Sequence, residues 1–189
     1  MTLIKLFVIG AIGYLFSGLY DVAIIHRKSL LKKFLYIGFF ITAVPYAILL
    51  ASYPTPHALP LRWILYLLFI VFGALSAYSV LIEIAVAAKH ADGGLYRGGT
   101  YAISRHPGFL WYTAITILAA MYFWNGPIAL LCFALWVCDL LLITIEDLVL
   151  FPRMFEGYRE YRRQVPFFVT PHSIKGWRTH HDQTHRDDR

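Results

Sequence analysis

The sequence predicts an all-α fold: a multi-pass transmembrane helical bundle of about five spans, closed by a C-terminal interfacial amphipathic helix. Three observations lead there. Hydrophobic residues fill 59% of 189 positions and charged residues only 15%, more apolar side chain than one soluble core of this length normally buries. The apolar residues gather in five runs, about residues 3–20, 34–52, 61–88, 108–124 and 128–150, against a template of about 20 residues per span. The basic residues gather between those runs.

The first run lacks the basic start and small-residue cleavage site of a secretory signal, and more spans follow it, so it is expected to be a retained helix. Arg27, Lys28, Lys32 and Lys33 follow it, only Arg62 follows the second run, and Lys89, Arg97 and Arg105 follow the third. The fourth interval, Asn125-Gly126-Pro127, carries no charge, and Arg153, Arg159, Arg162 and Arg163 come after the fifth run. By the positive-inside rule this alternation puts the N-terminus outside and the C-terminus in the cytoplasm, with Lys5 the one dissenting charge. At about 1.5 Å per residue the third run would extend about 42 Å, beyond a hydrocarbon core of about 30 Å, so it must tilt or project.

The Asn-Gly-Pro turn predicts that the fourth and fifth runs form an antiparallel hairpin. Its open ends carry Arg105 and His106 on one side and Glu146 and Asp147 on the other, with Glu83 at similar depth. Beyond residue 150, Phe155, Tyr158 and Tyr161 recur at helical spacing among arginines, the pattern of a helix lying in the interface. Residues from His172 onward are polar and aperiodic and read as a tail. The organisation expected is therefore 1–60 as N-terminal membrane helices, 61–171 as a catalytic core and 172–189 as a polar cytoplasmic tail. The net charge of +6 suits anionic membrane lipids, and no aromatic-interleaved basic platform for nucleic acid is present.

Ionisable groups are costly where a bilayer begins, which makes the hairpin mouth the strongest candidate for a polar ligand site. Alone, Arg105-His106-Pro107 has an ordinary structural account: a snorkelling arginine, an interfacial histidine and a proline in the first helical turn. Adjacent carboxylates are harder to explain that way, because Glu146 and Asp147 repel each other and require cationic or donor partners. Free N–H groups at the start of the fourth helix attract an anion, so carboxylates opposite them make a pair of sites suited to a zwitterion. Asp139, seven residues before Glu146, shares roughly its helix face. It either lines a lipid-substrate cavity or bonds to a Ser, Thr or Tyr of a neighbouring helix. Arg105 and Asp139 are the candidate catalytic residues. For Glu83 a buried structural partner is favoured, with Lys89 or Arg105 as counter-ion. No cysteine accompanies His180, His181 and His185, so no metal site is expected. Cys132 and Cys138, six residues apart on one helix, point in different directions and are not expected to pair. There is no P-loop and no GxGxxG after a strand.

Three pieces of the chain together resemble the membrane-embedded isoprenylcysteine carboxyl methyltransferase and phospholipid methyltransferase family. They are Gly99-Thr100-Tyr101-Ala102-Ile103-Ser104-Arg105-His106-Pro107, then Glu146-Asp147, then Tyr158-Arg159-Glu160-Tyr161 followed by Val165-Pro166 and Pro171. The resemblance covers about residues 93–171. It implies S-adenosylmethionine bound at the cytoplasmic end of the hairpin and a lipophilic small-molecule or lipid acceptor entering from the bilayer. Carried over residue by residue, Gly93, Gly94, Leu95 and Tyr96 would line the cofactor, Tyr101 with His106, Pro107, Gly108 and Phe109 would form a wall, and Glu146 would hold its polar end. Methyl transfer needs mainly alignment and exclusion of water, so the lack of a general base is no objection. Three positions depart from the family: Trp111 stands where glycine is frequent, Asp147 is a shorter second acid, and Leu142 replaces an arginine that meets the substrate carboxylate in the prenylcysteine branch. A phenol, amine, thiol or pyrone-like oxygen is thereby admitted as acceptor. The rival readings are a membrane NADPH-dependent reductase of a sterol-like or fatty double bond and a non-catalytic membrane accessory protein.

Overall fold

The computed structural model describes residues 2–83 and 95–169. Every regular element among them is helical: α1 (Leu3–Ile25), α2 (Ser29–Leu35), α3 (Gly38–Ile41), α4 (Val44–Ser52), α5 (Leu59–Ala77), α6 (Pro107–Phe123), α7 (Gly126–Ile145), α8 (Phe151–Met154) and α9 (Tyr158–Gln164). Two π-helical segments, Tyr78–Glu83 and Glu146–Leu150, extend α5 and α7, and a 3₁₀ turn occupies Gly99–Ala102. Four stretches are long and apolar enough to cross a membrane: Leu3–Ile25, Ser29–Ser52, Leu59–Glu83 and Gly126–Met154. The predicted fourth span is the apolar but shorter Pro107–Phe123. The protein is an all-α membrane protein.

The limits of the helices follow local chemistry. The first span runs five residues past its predicted end and stops in a Schellman turn, in which Lys28 N–H donates to Ala23 O at 2.9 Å and Arg27 N–H to Ile24 O at 3.0 Å. The residue in the left-handed conformation that closes such a turn is usually glycine; here it is Arg27, at φ +54°. The second span starts earlier than its apolar run, taking in Lys32 and Lys33, and is broken into α2, α3 and α4. Gly38 lets the break sit against α1: a Cβ there would stand 2.8 Å from Gly13 O and from Ser17 N. At the hairpin turn Asn125 caps α7, its side-chain oxygen accepting from Ile128 N–H at 3.1 Å. The expected interfacial helix is divided. Phe151–Met154 continues the fifth span and α9 is a separate short helix whose Tyr158 and Tyr161 are buried.

α5 packs along α6, α6 along α7, and α1 against both α7 and the broken second span. Leu6, Leu49, Leu118, Leu131 and Leu135 form the shared core with Tyr14, Tyr46 and Tyr122. Where tyrosines enter it they satisfy one another, as membrane burial demands: the Tyr46 and Tyr112 hydroxyls are 2.8 Å apart, with Thr116 Oγ1 3.4 Å from Tyr46. The outer face of α5 has only Leu65 buried and exposes Trp63, Leu67 and Ile70, as a lipid-facing helix would. Cys132 and Cys138 are free thiols.

Candidate functional site

The polar residues at the open end of the hairpin fall into three groups. The first is a clasp around Asp147, which is 2% exposed. Arg105 Nε lies 3.1 Å and His106 Nε2 3.5 Å from its Oδ1, ion-pair contacts that lack hydrogen-bond alignment. Tyr158 donates to the same oxygen at 2.6 Å, and Arg162 Nε stands 3.5 Å from the other. Backbone ties close the clasp: Arg105 N–H donates to Pro166 O, Arg105 Nη1 to Arg162 O, and Ser104 Oγ to Phe167 O. The His106 ring stacks on Phe151 and contacts Phe167, while the Arg105 guanidinium lies over Phe167. Burial pushes the His106 imidazole below its ordinary value, against the opposing pull of Asp147. Burial, reinforced by the Asp147 charge, pushes the Tyr158 phenol up.

The second group surrounds Glu83, 5% exposed. Its carboxylate accepts from Thr100 N–H at 2.8 Å and from the Thr100 hydroxyl, so it anchors the 3₁₀ turn. Gly99, at φ +52°, is required there because a Cβ would collide with Glu83 Oε1. Tyr96 also interacts with Glu83 and meets the Tyr101 ring edge-on at 6.0 Å. Tyr101 donates to Ser79 O at 3.3 Å and accepts at its own carbonyl from Tyr161 at 2.7 Å. Glu83 thus has hydroxyl and amide partners, whereas the arginine expected beside it is taken by Asp147.

The third group is Asp21, Asp139 and Glu146. Asp21, 8% exposed on α1, is the side-chain partner of Glu146, and Asp139 lies within electrostatic range of Glu146. Asp139 also lies near Tyr14, Tyr46 and Tyr112 but has no hydrogen-bond or ion-pair partner among the described residues. None of the three carboxyl groups pairs with a cation among those residues. Nor do the described residues hold a cluster of three groups able to bind a metal.

The chain departs from the expected arrangement in one respect with wide effect. Arg105 and His106 were expected to face Glu146 and Asp147 together, but they face Asp147 alone. A π-helical turn, with i→i+5 bonding, re-aims consecutive side chains, and such turns recur at functional sites. The one at Glu146–Leu150 sends Glu146 toward α1 and Asp147 toward α6 and α9. Among the other expected site residues, Tyr101 lies within electrostatic range of both Glu83 and Glu146. Pro107 and Phe109 are buried in the packing, Phe109 against Trp136 and Phe168. Gly108 is pressed against Val80, where a Cβ would come within 2.5 Å of Val80 Cγ2. Leu95 is half-buried beside Tyr96, and Gly93, Gly94 and Lys89 lie outside the described residues. Trp111 donates to Ser79 Oγ at 3.0 Å, tying α6 to α5, and Leu142 packs partly buried against the core beside Gly18. Asp21 escaped the sequence reading. Its signal was a lone carboxylate inside the first apolar run, a costly placement of the kind that marks function.

Comparison with known proteins finds no matching family model and no significantly similar curated protein or solved structure.

Proposed function

We propose that the protein is an integral membrane methyltransferase that moves a methyl group from S-adenosylmethionine to a small lipophilic or lipid-like acceptor. The observation that carries this reading is the anionic group Asp21, Asp139 and Glu146, left without a cation among the described residues at the end of the bundle that bears the family-like motifs. When bound, the cofactor supplies an electrophilic methyl on a sulfonium, beside an ammonium and a carboxylate. Glu146, helped by Asp21, fits the cationic portion: it offers negative charge where the chain supplies no compensation. Tyr101 and Tyr96 offer aromatic faces between Glu146 and Glu83 for a planar group. The cofactor's own carboxylate fits less well than the sequence implied, because Arg105 and His106 are spent on Asp147. Arg105 is therefore assigned to positioning, through Asp147, rather than to contact with the reacting atoms. Asp139, unpartnered and nearer the apolar interior, faces the lipophilic acceptor. Leu142 offers an acceptor no cation, which favours a neutral or positively polarised group over a carboxylate.

The site is assigned to the cytoplasmic side and the N-terminus to the outside, on the strength of Arg27, Lys28, Lys32, Lys33 and the arginines after residue 150 set against Arg62 alone. Calorimetry on the detergent-purified chain tests the proposal. Saturable binding of S-adenosylmethionine or its demethylated product is expected, with at least a tenfold loss in Glu146→Gln. Absence of binding in several lipids sinks it, and stabilisation by NADPH alone points to a reductase instead. Lipid profiling of cells with and without the protein then identifies the acceptor as a species shifted by one methylene mass.

A further inference from the structure

The far end of α1 carries a feature unconnected with the carboxylates. An apolar groove runs between α1 and α2, walled by Leu19, Val22 and Ala23 on one side and Leu31 and Leu35 on the other, with His26 and Lys28 completing it. From Leu19 to His26 the α1 wall spans seven residues, about 10 Å at the helical rise. Leu19 and Leu31 are exposed, and Leu30 and Phe34 alongside are more so. Around the polar end stand Arg27, Lys28, Lys32 and Lys33, all exposed. Lys32 lies over the Tyr20 ring, but no acidic side chain among the described residues pairs with any of the four.

The backbone singles out Arg27 within that ring. It occupies the left-handed position of the Schellman turn, where a side chain carries a steric cost that glycine avoids. A cation kept at a position suited to glycine points to a use for its charge. From this we infer that the α1–α2 junction is a binding site for one anionic phospholipid, its headgroup phosphate held by Arg27 and Lys28 and an acyl chain lying in the groove toward Leu19. Charge complementarity selects the headgroup, since each basic side chain near a membrane surface favours an anionic lipid by about fivefold. The apolar wall selects a molecule that carries a chain below that charge.

Arg27→Gly offers a test that does not threaten the fold, because glycine suits the turn. The full chain, stripped of lipid in detergent, is titrated with phosphatidylglycerol, with phosphatidylcholine and with glycerol phosphate, followed by native mass spectrometry. Phosphatidylglycerol is expected to bind at least tenfold more tightly than phosphatidylcholine, and glycerol phosphate not to be retained. Arg27→Gly should melt no lower than the parent and bind phosphatidylglycerol about fivefold more weakly, with Arg27→Gly/Lys28→Gln near 25-fold. Leu31→Trp, which fills the groove, should lower retention with every charge intact. Equal binding of the two lipids, retention of glycerol phosphate, unchanged affinity in Arg27→Gly, or an equal loss in the distant control Arg153→Gln would each overturn the assignment.

Discussion

The Asp147 clasp and the Asp21–Asp139–Glu146 group lie at the same end of the bundle and meet in one π-helical turn, yet their charge balances are opposite. Around Asp147 two arginines, a histidine and a phenol surround a single carboxylate. Around Glu146 only further carboxyl groups gather. A buried charge surrounded by partners is chiefly a structural commitment, because its removal strands those partners. An unbalanced set of like charges adds nothing to the fold and leaves room for a ligand to supply the missing sign. Residues adjacent in sequence therefore divide architecture from chemistry.

The largest expected effect tests the structural half. Asp147→Ala leaves Arg105 buried without its carboxylate and should cost about 3–5 kcal/mol, read as a large fall in melting temperature in detergent. An equal fall in Glu146→Ala would erase the contrast. Tyr158→Phe removes one charge-assisted hydrogen bond while keeping the ring in place, and about 2 kcal/mol is expected by denaturant or thermal melting. Asp21→Asn should go the other way, holding stability or raising it by up to about 1 kcal/mol as like charges are relieved, while weakening cofactor binding. A clear destabilisation would assign Asp21 to the fold. The smallest effect is a pH slope. Because burial holds the folded His106 below its unfolded value of about 6.5, its unfolded form takes up a proton first. Stability is then full above about pH 6.5 and declines as pH falls toward the lower folded value. Melting curves between neutral and mildly acidic pH should show that decline, and His106→Gln should flatten it.

The spans were legible because the apolar runs report directly on lipid exposure. Their ends moved where hydrogen bonding, not hydropathy, decides them, as at Arg27 and at the broken second span. Arg105, His106 and the acidic pair stood out because charge is conspicuous in such a chain. Which acid met which base was not legible, since it depends on the one-residue widening of a helix that apolar periodicity does not register. Tyr158 and Tyr161 announced a helix through their spacing, but their burial beneath the clasp comes from Asp147 and the Tyr101 carbonyl, contacts distant in sequence.

The widened turn at Glu146–Leu150 also governs what changes of length the chain tolerates. Removing one residue there would let the segment relax to an ordinary α-helix, at the cost of turning everything that follows by about 100° relative to what precedes it. α8 and α9 would then present the wrong sides to α6, although every side chain of the clasp was still present. Substitutions within those five positions are local events, whereas an insertion or deletion is a change of phase. The turn serves as the angular offset that joins the membrane hairpin to the segment closing its mouth.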